Sequence, residues 1–170
     1  MTAVRIHPVA ACAALVLVAS VAGCYSFTGA SVPPHLKSIA LPLVDDQSGF
    51  GEPGLREKFT NDLTVLFITD NSFQVADRST ADAILRGTIA SITDAPASVE
   101  QNEQVRTRRI TMTVRVVFQD MVLKKTVWEK NFSNWGDYES GGGPSQRQVG
   151  LTEASRKITE DILLETVSGW

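Results

Sequence analysis

Histidine and cysteine set the limits of what this 170-residue chain can do chemically, and there are two of each: His7, His35, Cys12 and Cys24. His7 and Cys12 lie in an apolar N-terminal leader that Cys24 closes; with Cys24 marked there for acylation, no free thiol is left to pair with His35, and the Cys/His spacing of a zinc site is absent. A Ser–His–acid site would have to recruit His35. That residue follows Pro33-Pro34 and reads as a solvated loop histidine, and no G-x-S-x-G turn supplies the serine. Asp45-Asp46 has the look of a turn rather than a cation site. Gly141-Gly142-Gly143 lacks the following Gly-Lys-Ser/Thr that would cradle phosphate. No pair of carboxylates stands out for glycoside chemistry. These residue types point away from catalysis, metals and cofactors.

The constellation that remains is basic. Arg106, Arg108, Arg109, Arg115, Lys124 and Lys125 fall in one short segment. Alternation puts Arg109 and Arg115 on the non-core face of a strand, with Thr111 and Thr113 between them, and Lys124-Lys125 at the hairpin tip. Such a ledge suits the phosphates of a glycolipid, because guanidinium forks match phosphate oxygens. Solvated strand residues, or charges that keep an exposed sheet from pairing with other chains, account for the same pattern. Trp128 reads as core. Trp135 and Tyr138, beside the glycine-rich stretch, read as partner contacts.

The leader fixes the compartment. Arg5 and His7 precede a run from Val9 to Ala22 that carries no charge, and Val21-Ala22-Gly23-Cys24 ends it. This is the order of a secretory signal, and the run is shorter than the roughly 20 residues of a membrane span. Small residues followed directly by cysteine resemble a bacterial lipobox, in which Cys24 is acylated and becomes the first residue of the mature protein. Residues 1–23 are then the signal peptide, 24–37 a lipidated arm and 38–170 a single domain. Cleavage removes Arg5 and no acid, so the mature chain is one unit more acidic than the whole chain's −3. That balance gives no global attraction to nucleic acid or to an anionic membrane. With Cys24 acylated, no thiol is left for a disulfide, and the domain must rely on its apolar core. Tyr25, where an acid would favour inner-membrane retention, points to the outer membrane.

The elements that position the basic residues follow from periodicity. Ser38 to Val44 suits a first strand, with Pro42 near its end. Leu55, Phe59, Leu63, Leu66 and Phe67 recur at helical spacing, and that helix ends near Asp70-Asn71. Phe73-Gln74-Val75 is a brief strand. Ile84 to Thr93 is another, ended by a bend at Asp94-Ala95-Pro96, with a loop over residues 97–104. Ile110, Met112, Val114, Val116 and Phe118 form the buried face of a long strand, and Thr126 to Trp135 returns beside it. Gly136 to Pro144 reads as a flexible break. Ser145-Gln146-Arg147-Gln148 has capping-box spacing ahead of a helix with the stripe Leu151, Ala154, Ile158, Ile162. The order β-α-β-β-β-β-α predicts an α+β layer: two helices packed on one face of a mixed four- to five-stranded sheet, the first two strands parallel.

Taken together, Cys24-Tyr25-Ser26-Phe27-Thr28-Gly29 and Ser31 to Pro42, with Gly54 to Thr60, Ala81 to Gly87 and Trp128 to Tyr138, resemble the LptE family. The resemblance implies a non-enzymatic outer-membrane lipoprotein facing the periplasm. Such a protein packs inside the lumen of an LptD-type β-barrel, assists its assembly, plugs it, and takes part in lipopolysaccharide transport to the cell surface. In that frame Arg109, Arg115, Lys124 and Lys125 are candidate lipopolysaccharide contacts, and Trp135 and Tyr138 candidate barrel contacts. The strand–helix–strand opening is also similar to envelope lipoproteins that activate peptidoglycan synthases or oligomerise into secretion pores.

Overall fold

The computed structural model describes residues 32–99 and 105–170. Strands β1 (Ser38–Ala40) and β2 (Asp45–Asp46) precede helix α1 (Leu55–Asp70), and β3 (Gln74–Val75) follows it. Three long strands come next, β4 (Ala83–Val99), β5 (Val105–Asp120) and β6 (Lys125–Glu139), and helix α2 (Gly143–Ser168) completes the domain. The six-stranded sheet runs β3-β1-β4-β5-β6, with β2 pairing β4 off that path. β1 is parallel to β3 and β4, while β4, β5 and β6 form an antiparallel meander. The expected α+β architecture is therefore present, with β2 as an additional short member.

Burial explains the layers. Ile110, Met112, Val114, Val116 and Phe118 on β5 are buried, as are Phe59, Leu63 and Phe67 of α1 and Leu151, Ala154, Ile158 and Ile162 of α2, and all join one core cluster. Both helices thus cover the same sheet face. Phe67, Phe73, Phe118, Trp128 and Phe132 form a chain of ring contacts through that layer, with centroids 5.5 to 6.3 Å apart. Such aromatic pairs add roughly 0.5–1.5 kcal/mol each beyond their buried area.

Five local expectations are corrected. The first strand stops at Ala40, before Pro42, and Asp45-Asp46 pairs with Thr88-Ile89 instead of turning. The bend at Asp94-Ala95-Pro96 does not end β4, which continues to Val99 with register shifts beyond Pro96. β1 and β2 pair β4 only as far as Ile89, so from there β4 is an edge on that side, where proline is tolerated. Gly136 is buried inside β6 rather than opening a flexible break. No capping box forms: α2 starts at Gly143 with Pro144 in its first turn, and Ser145 Oγ donates to Gly142 O at 3.2 Å.

The docking of α2 depends on two glycines. A Cβ on Gly136 would lie 2.1 Å from Gly150 O, so strand and helix backbones touch where no other residue fits. Leu36 is buried in the core, so the packed domain takes in the end of segment 24–37. His35 is exposed, as expected, and also reaches Asp120 at the far end of β5, donating from Nε2 to Oδ2 at 2.8 Å.

Candidate functional site

The sheet face turned away from the helices is open and polar along β5 and β6, with a small buried apolar cluster of Ala40, Ala81 and Ile84 at the start of β4. Arg109, Thr111, Thr113, Arg115 and Gln119 of β5 line it. The register brings them opposite Asp137, Trp135, Ser133, Asn131 and Thr126 of β6 and, on the other side, Ala95, Thr93, Ser91, Thr88 and Ile84 of β4. Thr113 and Ser133 share a hydrogen bond of 3.0 Å across the pair. The alternation of apolar and polar residues along β5 thus becomes two faces with different work: one holds the core, the other presents side chains outward.

Arg109 is fixed at one end of this face. It donates to both oxygens of Asp137, at 2.7 and 2.8 Å, and its guanidinium carbon stands 5.0 Å from the centre of the Trp135 ring. From α2, Lys157 reaches round the edge strand to the Trp135 carbonyl at 2.9 Å, with its ammonium 5.4 Å from the same ring. Trp135 remains 44% exposed between the two cations. The hydrogen bond from Arg109 holds the Asp137 carboxyl below the usual carboxylate range.

At mid-sheet, Arg115 pairs with Glu129 at 2.8 Å. It also lines a concavity of about 480 Å³ with Arg78, Arg86, Asp45, Gln47 and Thr88. Arg86 Nη2 donates to Gln119 Oε1, while Arg78 has no ion pair among the described residues. Three arginines from two strands and a loop therefore converge on one shallow groove. Alternation within β5 exposes Arg115. The partnership with Arg86 and Arg78 depends on the β4–β5 register, which local sequence does not reveal.

Tyr138 lies on the opposite side. Its hydroxyl donates to Asp94 Oδ2 at 2.6 Å and accepts from Arg108 Nε at 3.1 Å, while Arg108 Nε also meets Asp94 Oδ1 at 2.8 Å. Burial, then the bond to Asp94, raises the Tyr138 pKa. This triad ties β4, β5 and β6 together at the end where α2 begins. Among the described residues no cluster of His, Cys, Asp or Glu could hold a metal ion, and no helix is long and apolar enough to cross a membrane. Cys24 lies outside the described residues.

The family model described as "LptE: Lipopolysaccharide-assembly" matches residues 36–166, which takes in every element from β1 to α2 except the end of that helix. The chain belongs to the LptE family. No curated relative matches it. Solved structures share the fold at low identity. The hypothetical protein CT253 from Chlamydia trachomatis is 9% identical with a TM-score of 0.57, covering 76% of this chain and 95% of its own. Uncharacterized lipoprotein B from Nitrosomonas europaea is 11% identical with a TM-score of 0.52, covering 79% and 84%. A single-substitution variant of the PelC dodecamer from Paraburkholderia phytofirmans is 10% identical with a TM-score of 0.51, covering 83% and 95%.

Within this LptE-family domain the four basic residues singled out by sequence do not form one cluster. Eleven residues of strand separate Arg109 from Asp120, about 35–40 Å. Lys124 and Lys125 sit at the β5–β6 hairpin beyond Asp120, exposed and without an ion pair among the described residues. Arg115 stands between, grouped with Arg86 and Arg78.

Proposed function

We propose that this LptE-family protein is an outer-membrane lipoprotein, anchored through acylated Cys24 and facing the periplasm, that seats its 38–170 domain in an LptD-type β-barrel. There it assists barrel assembly, plugs the lumen and takes part in passing lipopolysaccharide to the surface, without catalysing a reaction. The observation that carries the reading is the family match, which spans both the helical layer and the open sheet face. The polar open face supports it further. Arg115, with Arg86 and Arg78, offers guanidinium forks to lipid A phosphates, which they recognise with paired hydrogen bonds. Trp135, held between Arg109 and Lys157, offers an exposed ring for barrel contact, and Tyr138 braces that end from the other side.

Affinity purification of the tagged, acylated protein from detergent-solubilised envelopes tests the partner. A stoichiometric large β-barrel is expected. Recovery of a peptidoglycan synthase, or of a homo-oligomer alone, would overturn the assignment. The glycolipid contact is tested separately by Arg86→Glu with Arg115→Glu, which should weaken lipopolysaccharide binding while leaving the circular dichroism of the domain intact. Unchanged binding would return these arginines to the role of solvated strand residues.

A further inference from the structure

The β5–β6 hairpin tip is unlike the rest of the surface. Met121, Val122 and Leu123 are 39%, 52% and 55% exposed, and the exposed Lys124 and Lys125 follow at once. A three-residue apolar run with two cations that make no ion pair among the described residues stands out on a chain whose formal charge is −3. The tip is also built to stay open. Asp120, 1% exposed, accepts from the Leu123 N–H at 2.7 Å through Oδ1 and from His35 through Oδ2 at 2.8 Å. Lys124 takes a left-handed backbone with φ 54°, which closes the turn. The buried carboxylate thus fixes the turn from below, and its apolar side chains point away from the core.

His35 makes the location informative. It lies where the chain leading from Cys24 joins the folded domain, between Val32 and Leu36, which pack on the core, and its ring is bonded to the base of this tip. Eleven residues separate Cys24 from His35, a reach of at most ~40 Å. We infer that the Met121–Lys125 tip docks on the phospholipid leaflet that holds the Cys24 acyl chains: the apolar residues enter the headgroup boundary and the two lysines meet anionic lipid phosphates. Apolar side chains flanked by lysine suit that interface, and each lysine near an anionic surface strengthens binding severalfold. The tip thereby gives the tethered domain a fixed orientation. This inference rests on the anchor assignment of the proposed function.

With Cys24 acylated, a cysteine placed in the domain is the mature protein's single free thiol. The acylated full protein carrying Leu123→Cys, or Ser145→Cys at the opposite end, is labelled with an environment-sensitive dye. Each is reconstituted in phosphatidylcholine vesicles with and without phosphatidylglycerol and a nitroxide-bearing lipid. The expected result is quenching several-fold stronger at position 123 than at 145, dependent on phosphatidylglycerol. It should be reduced by Lys124→Ser with Lys125→Ser or by 1 M salt, where the Debye length is about 3 Å. Equal, weak quenching at both positions in acylated protein would overturn the inference. So would protection of the 123 label by lipopolysaccharide micelles but not by vesicles, which would return the lysines to the glycolipid route. Mass spectrometry of the same sample reports acylation independently. If the protein proves unacylated, the anchor reading fails, and quenching at 123 by added vesicles still supports or refutes the tip.

Discussion

Gly136→Ala sets two physical effects against each other, and the structure gives the winner. Glycine inside a strand costs about 0.5–1 kcal/mol in chain entropy relative to alanine, so propensity alone predicts that the substitution stabilises the domain. The added methyl, however, would lie 2.1 Å from Gly150 O and 2.9 Å from both Gly150 C and Glu153 Cβ. The oxygen belongs to helix backbone and cannot swing aside, so α2 must retreat by roughly an ångström over the turn that carries Leu151 and Ala154. Overpacking of this kind costs about 1–3 kcal/mol, and here it falls at the upper end because backbone must move. The net expectation is a loss of about 2 kcal/mol. For a domain of this size that lowers Tm by roughly 6–12 °C. Thermal and urea unfolding followed by circular dichroism measure it. Gly150→Ala is the companion variant: its nearest neighbours are the Tyr138 ring at 3.1 Å and Gly136 O at 3.2 Å, and a helix interior gains about 1 kcal/mol from alanine. It should perturb stability much less. A Gly136→Ala protein as stable as the parent would refute the claim that backbone contact sets the distance between α2 and β6.

Asp82 joins the start of β1 to β4 by accepting from the Lys37 and Ser38 N–H groups, both at 3.0 Å, and from Ser38 Oγ at 2.9 Å. Asp82→Ala should cost about 2 kcal/mol, seen as a lower urea midpoint at unchanged m-value. The bond from Ser38 Oγ leads the effects that lower the Asp82 pKa, and the Arg109 bond does the same for Asp137. At Asp120 burial pushes upward, but the Leu123 N–H and His35 bonds outweigh it and the pKa is also lowered. Depressed native carboxylates contribute fully above their ordinary range and lose that contribution as pH falls through their native values. Stability should therefore decline progressively below about pH 4, and an acid titration with a flat midpoint would contradict these assignments. Arg109→Ala removes an exposed pair and should leave Tm nearly unchanged while reducing barrel recovery, because it frees the Trp135 ring; equal recovery would remove that end from the interface.

What the sequence made legible follows the range of the information needed. Phe59, Leu63 and Phe67, or Leu151, Ala154, Ile158 and Ile162, announce helices because a single turn decides which face is apolar. The alternation from Arg109 to Gln119 announces β5 for the same reason, and it placed Arg109 and Arg115 on the outer face correctly. Asp94 and Gly136 misled because their meaning is long-range. Asp94 looks like a turn former until Arg108 and Tyr138 arrive from β5 and β6 to hold it in a strand. Gly136 looks like a breaker until α2 presses its backbone against it. The groove of Arg78, Arg86 and Arg115 was illegible because a bulge between Ile89 and Ser91 helps set which residues of β4 face β5. The bond from the exposed His35 was illegible because its partner, Asp120, lies 85 residues away.

The chemistry of the two outward surfaces distinguishes what each can meet. The open sheet face carries hydroxyls, amides and charged pairs, with Trp135 its one large exposed ring among the described residues. Pressed against hydrocarbon, those groups would lose water without gaining partners, at a cost of several kcal/mol each. The interior of a transmembrane β-barrel is polar, so the same face seated in a lumen keeps water and finds donors and acceptors on the wall. The hairpin tip has the opposite character: Met121, Val122 and Leu123 gain from leaving water, and Lys124 and Lys125 suit anionic headgroups rather than a neutral core. Since the tip and the Trp135 end lie at opposite ends of the same long strands, both conditions can hold in one orientation. On the proposed function, the Trp135–Arg109 end would enter the barrel and the tip would stay at the periplasmic mouth, level with the leaflet that receives the anchor. A crosslink from position 145 to the barrel wall together with lipid quenching at position 123 in one preparation would bear this out. Crosslinking of position 123 deep inside the lumen would reverse the orientation.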